Sequence, residues 1–437
     1  MTISLKVRAR KWMIAGGVGW VLISLVIHAS AQSRTDQPTN AAGDFASSEQ
    51  ILKNWTSFRG PVASGHAAPA NPPLNWSAKE GKNILWKTKV PKPGMSSPVI
   101  WGNRLFLTGA DESSRQIYCF ETDTGELLWQ HDADGIPSSP HEDRLPDVME
   151  FAGLAAPTAT TNGRYVAAIF ATGDLLCVNM EGKRIWAKNL GIPDNDYGHA
   201  SSLISHENLL FVQYDQKDNS KLLAFDLQSG NPAWQVKRGV ISWSSPILID
   251  NNGRMELILT NGKAVDSYDP KTGKLLWHVE CLSGEVVPSA AYADGVVYVA
   301  NEYASASAID VGNRGSGPKI LWQWDEALPD AASPLVNGDF LILPTGFGVV
   351  SCLDVKTGKV LWEQEFDDGF YSSPILVNDR VYIIDLKGRM QIFKINDEFE
   401  LLGASAIAED AYATPAFVGD RIYIRGLTHL FCIEEQK

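Results

Sequence analysis

Side chains able to do chemistry gather in two places along this 437-residue chain. The first is the stretch 136–154, which carries His141, Glu142, Asp143, Arg144, Asp147 and Glu150. An imidazole among carboxylates and a guanidinium is the raw material of proton transfer, and equally of an ionic docking patch or a solvated loop. The second is a set of large residues, Met95, Trp243, Tyr371 and Tyr412, each directly before a short run of Ser, Thr, Ala or Pro, with His199 near another such run. Flat rings with a polar edge suit recognition of a peptide or a glycan, and they also serve plain packing. The sequence has no Gly-x-Ser-x-Gly, His-Glu-x-x-His, Walker loop or EF-hand loop, so no catalytic residue and no metal ligand is assigned. A site assembled from several loops would leave no such motif.

The elements that position these residues are repeats. Asp269-Pro-Lys-Thr-Gly-Lys-Leu-Leu-Trp277 returns almost unchanged as Asp354-Val-Lys-Thr-Gly-Lys-Val-Leu-Trp362, with weaker copies ending at Trp129 and Trp234. Each has an apolar run, an acid, a polar turn with Gly, then an apolar pair and Trp, which reads as strand, turn, strand. Trp86, Trp129, Trp186, Trp234, Trp277, Trp322 and Trp362 follow one another at 40 to 57 residues, a period that suits four short strands per unit. Small-residue segments such as Ser96-Ser97-Pro98, Ser244-Ser245-Pro246 and Ser372-Ser373-Pro374 mark eight units, and an acidic or amide slot, from Glu121 through Asn396 to Glu434, counts eight as well. Small residues belong where sheets converge on an axis, so the expected fold is all-β, an eight-bladed β-propeller over residues 83–437. The last unit stops without a fourth strand or Trp, whereas Asn83-Ile84-Leu85-Trp86 is a fourth strand with nothing before it. The N-terminal strand is therefore expected to complete the last blade. The Trp-to-small-strand connection is 11 residues in most units but 29 from Trp129 to Thr158. This puts the 136–154 insertion on the top face, where propellers meet partners.

Formal net charge is −13, a surface that repels phosphate backbones and excludes nucleic acid as a partner. Residues 1–31 read as a signal peptide, with a basic start, an apolar run and Ala29-Ser30-Ala31 for cleavage near Ala31. The expected location is periplasmic or otherwise exported; a membrane contact is expected only if this segment stays uncleaved. Residues 32–50 read as a flexible linker and 51–82 as an ordered lead-in. Cys119, Cys177, Cys352 and Cys432 share a slot occupied elsewhere by Ala224, Ser267 and Ala308. That pattern describes small buried strand positions and free thiols, not disulfides.

The acid-x-x-Thr/Ser-Gly-x-x-x-Trp units resemble the PQQ-type propeller repeat shared by quinoprotein alcohol dehydrogenases and the outer-membrane assembly factor BamB. Phe58-Arg59-Gly60-Pro61, Ser96-Ser97-Pro98 and Arg425-Gly426-Leu427-Thr428-His429-Leu430 resemble, more narrowly, an exported planctomycete-type group of these propellers. The resemblance implies that the seven repeat tryptophans are structural, each packed between neighbouring blades, and that the Trp-less unit near Leu401-Leu402 makes a looser contact. Quinoprotein alcohol dehydrogenases use an adjacent Cys pair over the cofactor and a calcium site. This sequence has neither Cys-Cys nor Cys-x-x-Cys-His. The expectation is thus a non-catalytic exported scaffold without a cofactor, binding an envelope protein, peptide or glycan through its top face. Its candidate binding residues are His141, Glu142, Arg144, His199, Trp243, Tyr371 and Tyr412. The alternative is a PQQ-dependent oxidoreductase with calcium, or another enzyme with a loop-built site.

Overall fold

The computed structural model describes residues 45–312 and 315–436; the expected signal peptide and most of the expected linker lie outside the described residues. A short helix, Ser48–Leu52, starts within the segment read as linker, and a capping box between Ser47 and Gln50 explains its start. From there the chain forms eight four-stranded antiparallel sheets. Blades 1 to 7 span 99–132, 160–189, 204–237, 247–280, 291–324, 335–365 and 375–406. Blade 8 takes three strands from 416–433 and its outer strand from Ile84–Lys89, which pairs antiparallel with His429–Ile433. The ring is closed by its first strand, as the sequence implies.

Cross-strand register explains the small slot. Cys119 lies opposite Trp129, Cys177 opposite Trp186, Ala224 opposite Trp234, Ser267 opposite Trp277, Ala308 opposite Trp322, Cys352 opposite Trp362 and Cys432 opposite Trp86. A bulge separates this pair from the next in every blade, so the indole tilts over a residue that must be small. No cysteine forms a disulfide, and burial pushes the Cys119 thiol up to about 12, which keeps it protonated and unreactive.

Most of these indoles also bond to the next blade. The Nε1–H groups of Trp86, Trp129, Trp186, Trp234 and Trp322 donate to the carbonyls of Thr122, Met180, Leu227, Pro270 and Val355, at 2.7 to 3.1 Å. Every acceptor is the residue directly after the acidic slot. The slot carboxylate caps the turn, as Asp354 does by accepting from the backbone N–H groups of Lys356 and Thr357. The turn glycine then serves twice. Gly273 has φ +71°, and a Cβ there would come within 2.6 Å of the Trp234 ring.

Two units depart from the pattern. Trp277 donates to its own blade's Glu256, 2.8 Å away, while Asn251 takes the Val311 carbonyl of blade 5. In blade 7 the register puts Lys394, not Asn396, at the acidic slot, Ile392 at the small slot, and Gly403 where a Trp would stand. The expected looseness is filled from outside. A Cβ on Gly403 would lie 2.4 Å from the Leu74 carbonyl oxygen, and the buried Trp76 packs with blades 7 and 8 while its backbone N–H donates to Ser405 Oγ at 2.9 Å. Trp76 of the lead-in thus substitutes for the missing blade tryptophan.

Around the axis, the small strands do more than avoid a clash. The backbone N–H of Ser97 donates to Thr158 Oγ1, Thr158 to Ser202 Oγ, Ser202 to Ser245 Oγ, and Ser245 to Ser289 Oγ. Ser289 continues to Ser333, Ser333 to Ser373, and Ser373 to Thr414. These seven bonds, 2.8 to 3.1 Å long, chain the eight innermost strands together. At the seam between blades 8 and 1, Arg425 Nη1 donates to Ser96 Oγ at 2.6 Å and to the Thr108 carbonyl at 2.8 Å.

Candidate functional site

Residues 55–66 cross the lower mouth of the ring and close it. Trp55 pairs with Ile100 of blade 1, the Thr56 carbonyl accepts from Thr161 N–H of blade 2, and Gly65 O accepts from Leu376 N–H of blade 7. Arg59 is fully buried at the centre; its Nη1 and Nη2 donate to the carbonyls of Ala290 (3.0 Å) and Pro334 (2.6 Å) on blades 5 and 6. Burial without a carboxylate partner among the described residues lowers its guanidinium to about 9. The carbonyl bonds hold the side chain in place of an ion pair.

Above this plug the axial channel is a blind cup of about 350 Å³. Phe58 contributes to its floor and the hydroxyl ring to its lower wall. The rim comes from loops of several blades. Trp243, Tyr371 and Tyr412 all line it, beside Tyr197 and Phe151. The rings form a connected series. Trp243 meets Tyr197 edge-on at 4.9 Å, Tyr197 meets Phe151 at 6.0 Å, Phe151 meets Tyr371 at 6.4 Å, and Tyr371 meets Tyr412 at 6.1 Å. Phe151 belongs to the long insertion, so the loop and the mouth, separate in sequence, share one wall through a residue that spacing did not single out.

Three carboxylates complete the lining, Glu285, Glu302 and Asp330, and no Lys, Arg or His does. Burial and these carboxylates together raise phenols beside them. Tyr303 is raised first by a hydrogen bond to Glu302; Tyr197 and Tyr371 are raised first by burial, then by Glu285 and Asp330 respectively. None of the three carboxylates lies in the 136–154 insertion or directly before a small strand, the two places the sequence pattern marks. Glu302 and Tyr303 sit in the turn between the second and third strands of blade 5, which returns to the same face.

The remaining candidates lie elsewhere. Glu142–Arg144 form a single 3-10 turn preceded by His141, all exposed, and His141 and Arg144 line a separate cleft with Arg115, Asp134 and Ile192. His199 is buried and absent from the cup lining; its Nε2 is 3.3 Å from the Gly191 carbonyl and its ring edge meets Tyr214. Burial drives this imidazole down to about 4, so it stays neutral. Among the described residues no group of three or more His, Cys, Asp or Glu side chains is arranged to hold a metal ion.

The fold and the cup define an eight-bladed propeller of PQQ-type repeats, plugged at one end and open at the other. The family model for the outer membrane protein assembly factor BamB matches residues 73–252 and 313–426, and the chain belongs to that family. It is 25% identical over 283 residues to the BamB of Burkholderia pseudomallei, covering 62% of this chain and 66% of that protein. The match to Salmonella typhimurium BamB is also 25%, over 56% of this chain and 64% of that one. The chain thus spans slightly less than two thirds of the length of these curated relatives. Among solved structures it is similar in fold to BamB from Moraxella catarrhalis, with TM-score 0.60, 14% identity, and 80% and 97% of the two chains covered. It is likewise similar to a quinohemoprotein alcohol dehydrogenase from Pseudomonas putida HK5, with TM-score 0.67, 12% identity, and 91% and 83% covered.

Proposed function

We propose that this chain is an exported, non-catalytic propeller that serves as a binding or assembly scaffold in the cell envelope, receiving a protein partner at the upper face. The observation that carries this reading is the cup itself. Five linked aromatic rings on loops of different blades surround a recess whose floor is sealed by the chain's own lead-in, a rigid concave surface of the kind that captures a protruding segment. No nucleophile with an oriented base stands in its lining. The family relationship and the signal-like leader both agree with an envelope role.

The fold likeness to a quinoprotein dehydrogenase keeps one alternative in view, and the lining residues bear on it. Pyrroloquinoline quinone is a polycarboxylate, and the cup offers it three carboxylates and no basic side chain. These residues do not fit the quinone by itself, and among the described residues no group of carboxylates is arranged to hold the calcium ion that would bridge them to it. A pull-down from envelope extract, comparing the parent with Trp243→Ala and with His141→Ala/Glu142→Ala, tests the scaffold reading. Loss of a partner in Trp243→Ala is expected; retention of every partner in both variants contradicts it. Titration with the quinone and calcium should give no absorbance band, and tight binding with dye-linked alcohol oxidation would establish the alternative instead.

A further inference from the structure

We infer that the occupant of the cup is cationic, an arginine- or lysine-bearing segment of the protein partner whose charged tip enters the recess. This rests on the scaffold reading above and assigns it a chemistry. The lining combines three carboxylates with seven aromatic side chains and lacks any compensating base. Glu285, Glu302 and Asp330 take part in no ion pair among the described residues, although elsewhere on this acidic chain carboxylates commonly meet a Lys or Arg. Asp330 is held in place by the backbone N–H of Gly346 at 2.7 Å, and Glu285 and Glu302 stand near enough to Tyr197 and Tyr303 to raise their phenols.

Aromatic faces attract a cation through their quadrupole, and the attraction grows where water is excluded, as in a recess closed below. A guanidinium adds planar stacking and donors in a fork that matches carboxylate oxygens. A volume of about 350 Å³ is near the lower bound, roughly 300 Å³, of small-ligand pockets. It holds one long side chain and its immediate backbone, not a folded element. Anionic ligands are opposed by the same charges.

The test uses the mature chain and three nine-residue peptides of neutral flanks with Arg, Gln or Glu at the centre, measured by calorimetry at low and high salt. The Arg peptide should bind at least tenfold more tightly than the Gln peptide, lose that margin as salt screens the carboxylates, and lose it in Glu285→Gln/Glu302→Gln/Asp330→Asn. That variant removes mutually repelling charges, so a melting temperature at or above the parent's verifies that it is folded; Glu302→Gln alone, on an exposed position, serves as the second variant. Equal binding of the Gln or Glu peptide, no binding of the Arg peptide, or an unchanged margin in both variants overturns the inference. Partner loss in Trp243→Ala without Arg-peptide binding removes the charge assignment and leaves the docking face. Arg-peptide binding with every envelope partner retained in Trp243→Ala keeps the cationic site and removes the scaffold reading.

Discussion

Trp277 shows how one side chain joins covalent pattern to stability. It packs in the core shared by blades 4 and 5, and its N–H is one of the donors that satisfy the buried Glu256 carboxylate, beside Ser267, Arg254 and Asn251. Trp277→Ala leaves a cavity and weakens that carboxylate's coordination, so a loss of about 3–5 kcal/mol is expected in urea unfolding. An unchanged curve would show that the indole contributes no packing. His199 gives the pH counterpart. Its folded value of about 4 lies below the ordinary value of roughly 6.5, so the unfolded chain binds the proton first. The resulting stability is complete above about 6.5 and falls as pH drops toward 4, by about 3 kcal/mol at most. His199→Phe should flatten that part of the profile relative to the parent; parallel profiles would mean that the imidazole is solvated.

At the scale of elements, the unit most unlike its siblings is the most informative. Blade 7 presents Gly403 at the Trp position, and the lead-in occupies the vacated volume with Leu74 and Trp76. Trp76→Ala should therefore behave like loss of a blade tryptophan, costing about 3–5 kcal/mol, although Trp76 lies outside every repeat. A cost below about 1 kcal/mol would assign the seam to other contacts. The missing Trp was legible in the sequence because an absence stands out in a repeat. Its replacement was not, since Leu74 and Trp76 lie far from Gly403 in the chain and carry no period. The same reason hid the plug: Phe58-Arg59-Gly60-Pro61 could be seen as a motif, but the carbonyls of Ala290 and Pro334 that fix Arg59 exist only once the ring has formed.

For the whole molecule, the repeat made the architecture readable. Eight copies of one pattern average out local ambiguity, and an unfinished last unit matched by an orphan first strand specifies the closure. That closure is expensive in chain entropy, about 5 kcal/mol for a loop of this length by the logarithmic rule. Here it is repaid by the ladder from Ile84 to Lys89, the Trp86 bond to Thr122 O at 2.9 Å, and the seam contacts of Arg425 with Thr108 and of Arg421 with Asp123. Deleting 84–90 should lower the melting temperature and broaden or split the transition; a single unshifted transition would contradict closure by this strand. The site was half legible. Trp243, Tyr371 and Tyr412 could be named because each precedes a small strand, whereas Tyr197, Glu285, Glu302 and Asp330 follow no period and meet only through the ring's geometry.

All of this converges on the cup as the place where a partner segment enters. Site-specific photo-crosslinking from position 303, an exposed rim residue, tests that most directly in cells producing the full chain. A discrete protein adduct from the envelope fraction is expected, and it should disappear in Trp243→Ala and in Glu285→Gln/Glu302→Gln/Asp330→Asn. No protein adduct, or one that persists unchanged in both variants, would contradict it.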